Sequence, residues 1–156
     1  MPTLYILVGV PGSGKSTWIK NQHFDMSKTA IVSTDDLVEK YATSVGKTYS
    51  EVFDEYMPQA VAKMAGQARA AFRAGMDVVW DQTSTSVGSR AKKIRMCPTT
   101  YKIVAVVFDT PEKEELARRL GSRPGKNIPD HVMRQMISSY QPPTTAEGID
   151  EIIKGS

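Results

Sequence analysis

Eight residues, Gly9-Val10-Pro11-Gly12-Ser13-Gly14-Lys15-Ser16, follow the spacing G-x-x-x-x-G-K-[ST], and an apolar run, Leu4-Tyr5-Ile6-Leu7-Val8, stands directly before them. That context matters because the pattern cradles phosphate only where a buried strand ends and a helix begins. The glycines let successive N–H groups turn inward without a Cβ in the way, and the following helix adds the positive end of its dipole. Gly12, Ser13, Gly14, Lys15, Ser16 and Thr17 are therefore read as the binding loop for the phosphates of ATP. Lys15 would reach the β and γ groups, and Ser16 would give its hydroxyl to Mg²⁺.

Moving a phosphoryl group needs more than a cradle and a metal. A group must position the acceptor and take its proton, and positive charge must meet the oxygens in flight. For the proton, Asp35 is preferred to Asp36, with one of the pair capping the next helix and the other facing the acceptor. For the charge, Arg119 and Arg123 are preferred to Arg118, because residues four apart share a helix face whereas neighbours diverge by about 100°. Arg118 and Arg119 also stand at helical spacing from Glu114 and Glu115, so a surface ion pair is the plainer reading for them. Asp81, followed by Gln82, Thr83 and Ser84, is preferred to Asp109 as a second acidic element, with Thr83 beside it at the acceptor. Asp109-Thr110-Pro111 reads instead as a cap and a helix-starting proline.

Short apolar runs alternate with longer helical patterns, which predicts βαβ units, a parallel sheet of about five strands, and helices on both faces. The strands are placed at 3–8, 29–33, 76–80, 101–108 and 149–153; the helices at 15–22, 35–42, 49–74, 87–94, 111–120 and 130–140. Val78-Val79-Trp80 and Ile103 to Phe108 are almost wholly apolar, as strands covered on both faces are. Thr48-Tyr49-Ser50-Glu51 has capping-box spacing, Pro58 is expected to kink or split the long helix it opens, and Met57, Met64 and the alanines of 60–71 read as packing surface. Ligands of such a sheet gather outside the carboxyl ends of the strands, where Asp35, Asp81 and Asp109 fall. Residues 121–129 hold two glycines, two prolines and two cations, the texture of a mobile loop able to act as a lid bearing Arg123. Gln141-Pro142-Pro143-Thr144-Thr145 is a second irregular stretch.

The length of 156 residues suits one domain, and 40% hydrophobic with 24% charged residues excludes neither folding nor solubility while arguing against disorder or a membrane span. No basic residues precede the short first apolar run, so it reads neither as a signal peptide nor as an anchor, and a cytoplasmic location is expected. The single cysteine, Cys97, reads as a buried small hydrophobe. Charge is uneven: residues 90–134 carry 11 basic and 5 acidic side chains, a net +6, which points to a polyanion such as nucleotide or nucleic acid.

Taken in order, Pro11 to Trp18, Asp35-Asp36, Asp81 with Thr83, and Phe108-Asp109-Thr110-Pro111 leading to Arg119 and Arg123 resemble the 5′-kinase domain of bacteriophage polynucleotide kinase and its small P-loop kinase relatives. The resemblance spans nearly the whole chain. It implies a P-loop kinase fold and ATP- and Mg²⁺-dependent transfer of the γ phosphate to a 5′-hydroxyl of DNA or RNA. It also implies Lys15 and Ser16 as phosphate and metal ligands, Asp35 as general base and Arg123 as the lid arginine. Where that family has an acceptor-side arginine three residues past the base, this chain has Val38, with Lys40 or Arg90 as the replacements to consider. Two alternatives stay open: a kinase for another alcohol, such as a hydroxymethylated DNA base, a nucleoside or a small metabolite, and a nucleotide-driven ATPase or switch. Few loop aromatics on which bases could stack, with Trp18 and Trp80 read as packing residues, weigh against nucleic acid.

Overall fold

A computed structural model describes residues 1–156. Strands β1 (Thr3–Val8), β2 (Thr29–Val32), β3 (Asp77–Trp80), β4 (Lys102–Val107) and β5 (Glu151–Lys154) form one parallel sheet in the order β2-β3-β1-β4-β5. Helices α1 (Lys15–Gln22), α2 (Thr34–Ser44), α3 (Tyr49–Arg73), α4 (Val87–Met96), α5 (Lys113–Gly121) and α6 (Asp130–Ser138), with a 3₁₀ turn at Thr145–Glu147, make the connections. No helix is long and apolar enough to cross a membrane.

The apolar strands are apolar because both faces are covered. Leu4, Ile6, Val78, Trp80, Ile103 and Ala105 pack on one side with Met64, Ala68, Ala71 and Phe72 of α3, while Leu7, Val79, Val104 and Val106 pack on the other with Trp18 and Phe108. Both tryptophans are thus packing residues, as expected, and Cys97 is buried. Element ends differ from the sequence expectation by at most two residues; α5 begins at Lys113, two residues later than expected, with no side-chain cap. Asp109 is therefore not its cap; its amide donates to Ser156 Oγ at 3.2 Å. Pro58 does not split α3, which is a single helix of 25 residues. The proline sits exposed, while Val52, Tyr56, Ala60 and Met64 anchor the opposite face, so tertiary burial holds the helix across the missing N–H.

The +6 block does not form one cationic surface, because two of its charges leave solvent. Arg90 is fully buried: Nε and Nη2 donate to the two carboxylate oxygens of Glu147 at 2.8 and 3.2 Å, and Nη1 donates to the Ser84 carbonyl at 2.9 Å. Lys93 is buried 5.7 Å from the Trp80 ring. Arg90 is thus no replacement for an acceptor-side arginine. Its task is to hold the turn after β3, where Ser84 has a φ of 45° and where Thr83 accepts from the Gly9 amide at 2.9 Å. Arg90→Ala would strand Glu147 without its partner, so chemical denaturation should show a loss of about 3–5 kcal/mol, the range for breaking a buried ion pair. A loss under about 1 kcal/mol would mean that the pair does not anchor this end of the fold.

Candidate active site

The carboxyl ends of β1, β2 and β3 open into a cleft of ≈ 1780 Å³. Its floor is the loop between β1 and α1. Gly9 is tolerated alone there, since a Cβ would lie 2.5 Å from Ser13 Oγ and 2.9 Å from the Phe108 side chain. Gly14 caps α1 with φ at 106°, a conformation that glycine adopts freely. No side chain caps this helix, and the amides of Gly14, Lys15, Ser16 and Thr17 find no backbone acceptor. Four N–H groups therefore point into the cleft with the helix dipole behind them, which is an anion site by construction.

Lys15 Nζ donates to the carbonyls of Gly9 and Val10, each at 2.9 Å. Burial lowers its pKa to about 8, the charges of Asp81 and Asp35 pull it back up, and Arg123 pushes it further down. Asp81 shows the converse. Burial raises its carboxyl to about 6, Lys15 opposes that, and Asp35 and Asp36 reinforce it. Polar links fix the geometry of this wall. The Asp81 amide donates to Val32 O at 2.9 Å, Trp80 Nε1 donates to Gln82 Oε1 at 3.1 Å, and Gln82 Nε2 donates to Thr34 Oγ1 at 3.2 Å. Together they tie the end of β3 to the start of α2.

The residues read from the sequence as phosphate loop, acceptor side and charge clamp all line the cleft: Gly12 to Thr17, Asp35, Asp81, Thr83, Arg119 and Arg123. Several details differ from expectation. Neither Asp35 nor Asp36 caps α2; Ser33 does, its Oγ accepting from the Asp36 amide at 3.3 Å, which leaves the Asp35 side chain exposed toward the cleft. Arg119 and Arg123 do not share a helix face, because α5 ends at Gly121. They meet at the cleft by separate routes. Arg118 and Arg119 both bind Glu115, and Arg119 also donates to the Gly12 carbonyl at 2.9 Å. Arg123 Nη1 is buried without any hydrogen-bond partner. Lys40 lies outside the cleft beside Asp36, Glu39 and Thr43, and Val38 is fully buried against α3.

The segment 121–129, expected as a lid, is docked onto the start of α3. Ser50 N donates to Gly125 O at 3.0 Å, the Asn127 amide donates to Ser50 Oγ at 2.8 Å, and Lys126 pairs with Glu39. Sequence reasoning missed the wall that this segment faces. Tyr49, Phe53, Asp54 and Met57 of α3 line the cleft together with Asp35, as do Ile128, Val132 and Met136. The signal was their i, i+4 spacing from a capped helix start, which reads equally well as core.

ATP and a divalent cation fit these residues. A buried guanidinium nitrogen with no partner, a desolvated lysine and four free amides converge on one volume, which is the donor set of a polyphosphate site. No group of three or more carboxylate, histidine or cysteine side chains could cage a metal, and Mg²⁺ needs none: it is ordinarily held by one or two protein oxygens together with substrate phosphates and water.

The raised carboxyl of Asp81 makes a pH prediction. Its folded-state pKa of about 6 lies above the ordinary 3.8, so the folded chain binds that proton more tightly than the unfolded chain. The associated stability is present below pH 4 and lost as pH rises through 6, on the order of 1–3 kcal/mol. In ligand-free protein, Asp81→Asn should match the wild type near pH 4 and exceed it by that amount above pH 7. A pH-independent difference in thermal melts would refute the burial account.

Comparison with known proteins bears on fold and family. A candidate kinase of Chloroflexus aurantiacus j-10-fl superposes with a TM-score of 0.72 at 16% identity, over 99% of this chain and 89% of that one. A chain of the Pnkp1/Rnl/Hen1 RNA repair complex gives a TM-score of 0.66 at 25% identity, over 88% of this chain and 43% of that one. Mouse (Mus musculus) heterogeneous nuclear ribonucleoprotein U-like protein 2 is 25% identical over 158 residues, which is 96% of this chain and 21% of that protein. This chain thus spans about a fifth of that relative and less than half of the repair-complex chain. The family model described as AAA domain, AAA_33, matches residues 4–143. With that match, the β2-β3-β1-β4-β5 parallel order and the phosphate loop at the end of the central strand, the chain belongs to the AAA_33 family of AAA domains and has the fold of a P-loop kinase.

Proposed function

We propose that the protein is an ATP- and Mg²⁺-dependent kinase that transfers the γ phosphate to the 5′-hydroxyl end of a polynucleotide. The observation that carries the kinase reading is the placement of Asp35. Its exposed carboxylate stands at the cleft wall within electrostatic reach of Lys15, at the border between the phosphate loop and the α3 wall. A carboxylate there has an alcohol to orient, whereas a switch or ATPase needs only a positioned water. The polynucleotide acceptor is supported by the ordered set of motifs, by the 25% identity to a chain of an RNA repair complex, and by an aromatic wall of Tyr49 and Phe53 on which a base can stack.

In this mechanism the amides of Gly12 to Thr17 and Lys15 Nζ hold the phosphates, Lys15 exchanging the carbonyls of Gly9 and Val10 for phosphate oxygens. Ser16 would hold Mg²⁺ through its hydroxyl, and the ion would supply charge neutralisation at the phosphate oxygens. Asp35 accepts a hydrogen bond from the acceptor hydroxyl and receives its proton as the new O–P bond forms and the bond to the leaving ADP oxygen breaks. Arg123 and Arg119 supply charge to the oxygens of the moving group from the lid side, with 121–129 as the lid of a single kinase domain covering 1–156. Asp81 and Thr83 complete the acceptor side.

A second reading, another alcohol as acceptor, is favoured by one observation. The acceptor arm carries Asp35, Asp36, Glu39 and Asp54 against Lys126, which Glu39 already pairs, and Val38 is buried. That wall favours an acceptor with few phosphates of its own. A panel of labelled-ATP transfers to 5′-hydroxyl RNA and DNA oligonucleotides, duplex DNA with hydroxymethylated pyrimidines, and free nucleosides separates the two. On the active acceptor, Lys15→Ala and Asp35→Ala should each abolish transfer, and only Lys15→Ala should also abolish ATP binding by calorimetry. Arg123→Ala should lower kcat on the order of a hundredfold or more, as the loss of a preorganised charge does. Near-normal turnover in Asp35→Ala would overturn Asp35 as the base, and ATP consumption indifferent to every alcohol would overturn the kinase reading.

A further inference from the structure

The residue in direct contact with Asp35 is a tyrosine from another helix. Tyr49 Oη donates to Asp35 Oδ1 at 2.6 Å. Burial and the neighbouring carboxylate both push the phenol well above its ordinary range, so it stays a donor at any physiological pH. The torsion that turns an aspartate carboxylate about its last bond is broad and nearly two-fold, so an exposed Asp35 left alone would present either oxygen over a wide arc. One short bond to Oδ1 removes that freedom and leaves Oδ2 without an intramolecular partner, facing the cleft.

The phenol's ring is itself held by two neighbours, one of which is fixed in turn. The ring lies 5.5 Å from that of Phe53, Lys126 Nζ stands 4.9 Å from the ring centre, and Lys126 is fixed by its pair with Glu39 on α2. The residues flanking Tyr49 are the ones that the 121–129 segment grips: Ser50 binds Gly125 and Asn127, and a Cβ on Gly125, which has φ at 69°, would come within 2.9 Å of Thr48 Cβ. The segment that carries Arg123 to the phosphate side therefore also fixes the tyrosine that orients the carboxylate on the acceptor side.

We propose that Tyr49 is the positioning residue of the acceptor base: its hydroxyl holds Asp35 Oδ1 so that Oδ2 meets the acceptor hydroxyl, and docking of residues 123–127 sets the tyrosine in turn. This rests on the assignment of Asp35 as the base. It adds a residue that works through Asp35 without touching the reacting atoms, and it makes the docked lid segment and the oriented base one event. The competing role is that of an internal mimic of the acceptor, the phenol occupying the place of the substrate alcohol; that role makes the opposite prediction for rate.

Tyr49→Phe is the test, because it keeps the ring, its contact with Phe53 and its approach to Lys126, and removes one half-exposed hydrogen bond whose loss costs the fold little. With MgATP and a 5′-hydroxyl RNA oligonucleotide, kcat should fall about 10- to 100-fold, a part of the 10²–10⁴ that a positioned base contributes. KM for ATP and for the oligonucleotide should stay within about threefold, and the melting temperature within about 2 °C. In the Asp35→Asn background the same change should cause no further loss. In ligand-free protein labelled with ¹³Cζ tyrosine, the resonance missing from Tyr49→Phe should be the one displaced in Asp35→Asn. An unchanged or increased kcat, or a rise in acceptor KM at constant kcat, overturns the proposal while leaving Asp35 as base. If Asp35→Asn retains normal transfer, Asp35 is not the base and this inference falls with that assignment; if the wild type transfers to no alcohol, the kinase reading itself fails.

Discussion

Lys15 is a cation taken out of water and given no carboxylate to bond. It rests on two carbonyls of its own loop, burial drives its pKa down to about 8, and the nearest negative charges act on it only across space. Desolvating a charge without a bonded partner is unfavourable; the loop adds four amides with no acceptor, and Arg123 brings a buried guanidinium nitrogen with none. All of this is relieved by one thing, a compact polyanion. The rest of the fold makes that arrangement possible by burying the first strand centrally in the sheet and stopping it at a glycine that nothing larger can replace.

The opposing wall is governed by the same electrostatics with the sign reversed. Asp81 is pushed toward its neutral form by burial and by two other aspartates, and Lys15 is the main influence holding it ionised. Each charge depends on the other, so the site is held near balance without a direct ion pair between them. That leaves both free to engage a ligand. Arg90 contributes from outside, as its buried pair with Glu147 and its bond to Ser84 O hold the turn that presents Asp81, Gln82 and Thr83 to the cleft.

The acceptor side depends on a different kind of contact. Three segments far apart in the chain, the start of α2, the start of α3 and residues 121–129, meet around Tyr49. None of the bonds among them is buried deeply, and each is individually modest. Their value lies in shared geometry: one loop places Arg123 toward Lys15 and, through Lys126 and the residues around Ser50, also places the tyrosine bonded to Asp35. A loop that does both links the phosphate half of the cleft to the acceptor half.

Much of this protein was legible before any coordinates. Strand and helix types followed from apolar period, and the phosphate loop followed from eight residues at fixed spacing, because both depend on neighbours along the chain. The cap of α2 was misplaced, since Ser33, Asp35 and Asp36 are all good caps and only the observed backbone selects Ser33. The cationic block misled in a similar way: a count of charges cannot tell that Arg90 and Lys93 are buried while Arg123 is aimed inward. Tyr49 and Phe53 went unnoticed because a capped amphipathic helix start looks the same whether its ring faces core or cleft. Sequence alone fixed the parallel sheet, the phosphate loop and the acidic residues at strand ends, all encoded in short-range pattern. Tertiary structure decided which carboxylate stays open, which arginine lacks a partner and which tyrosine meets Asp35, because these are contacts between segments 14 to more than 100 residues apart, whose meeting no local pattern records.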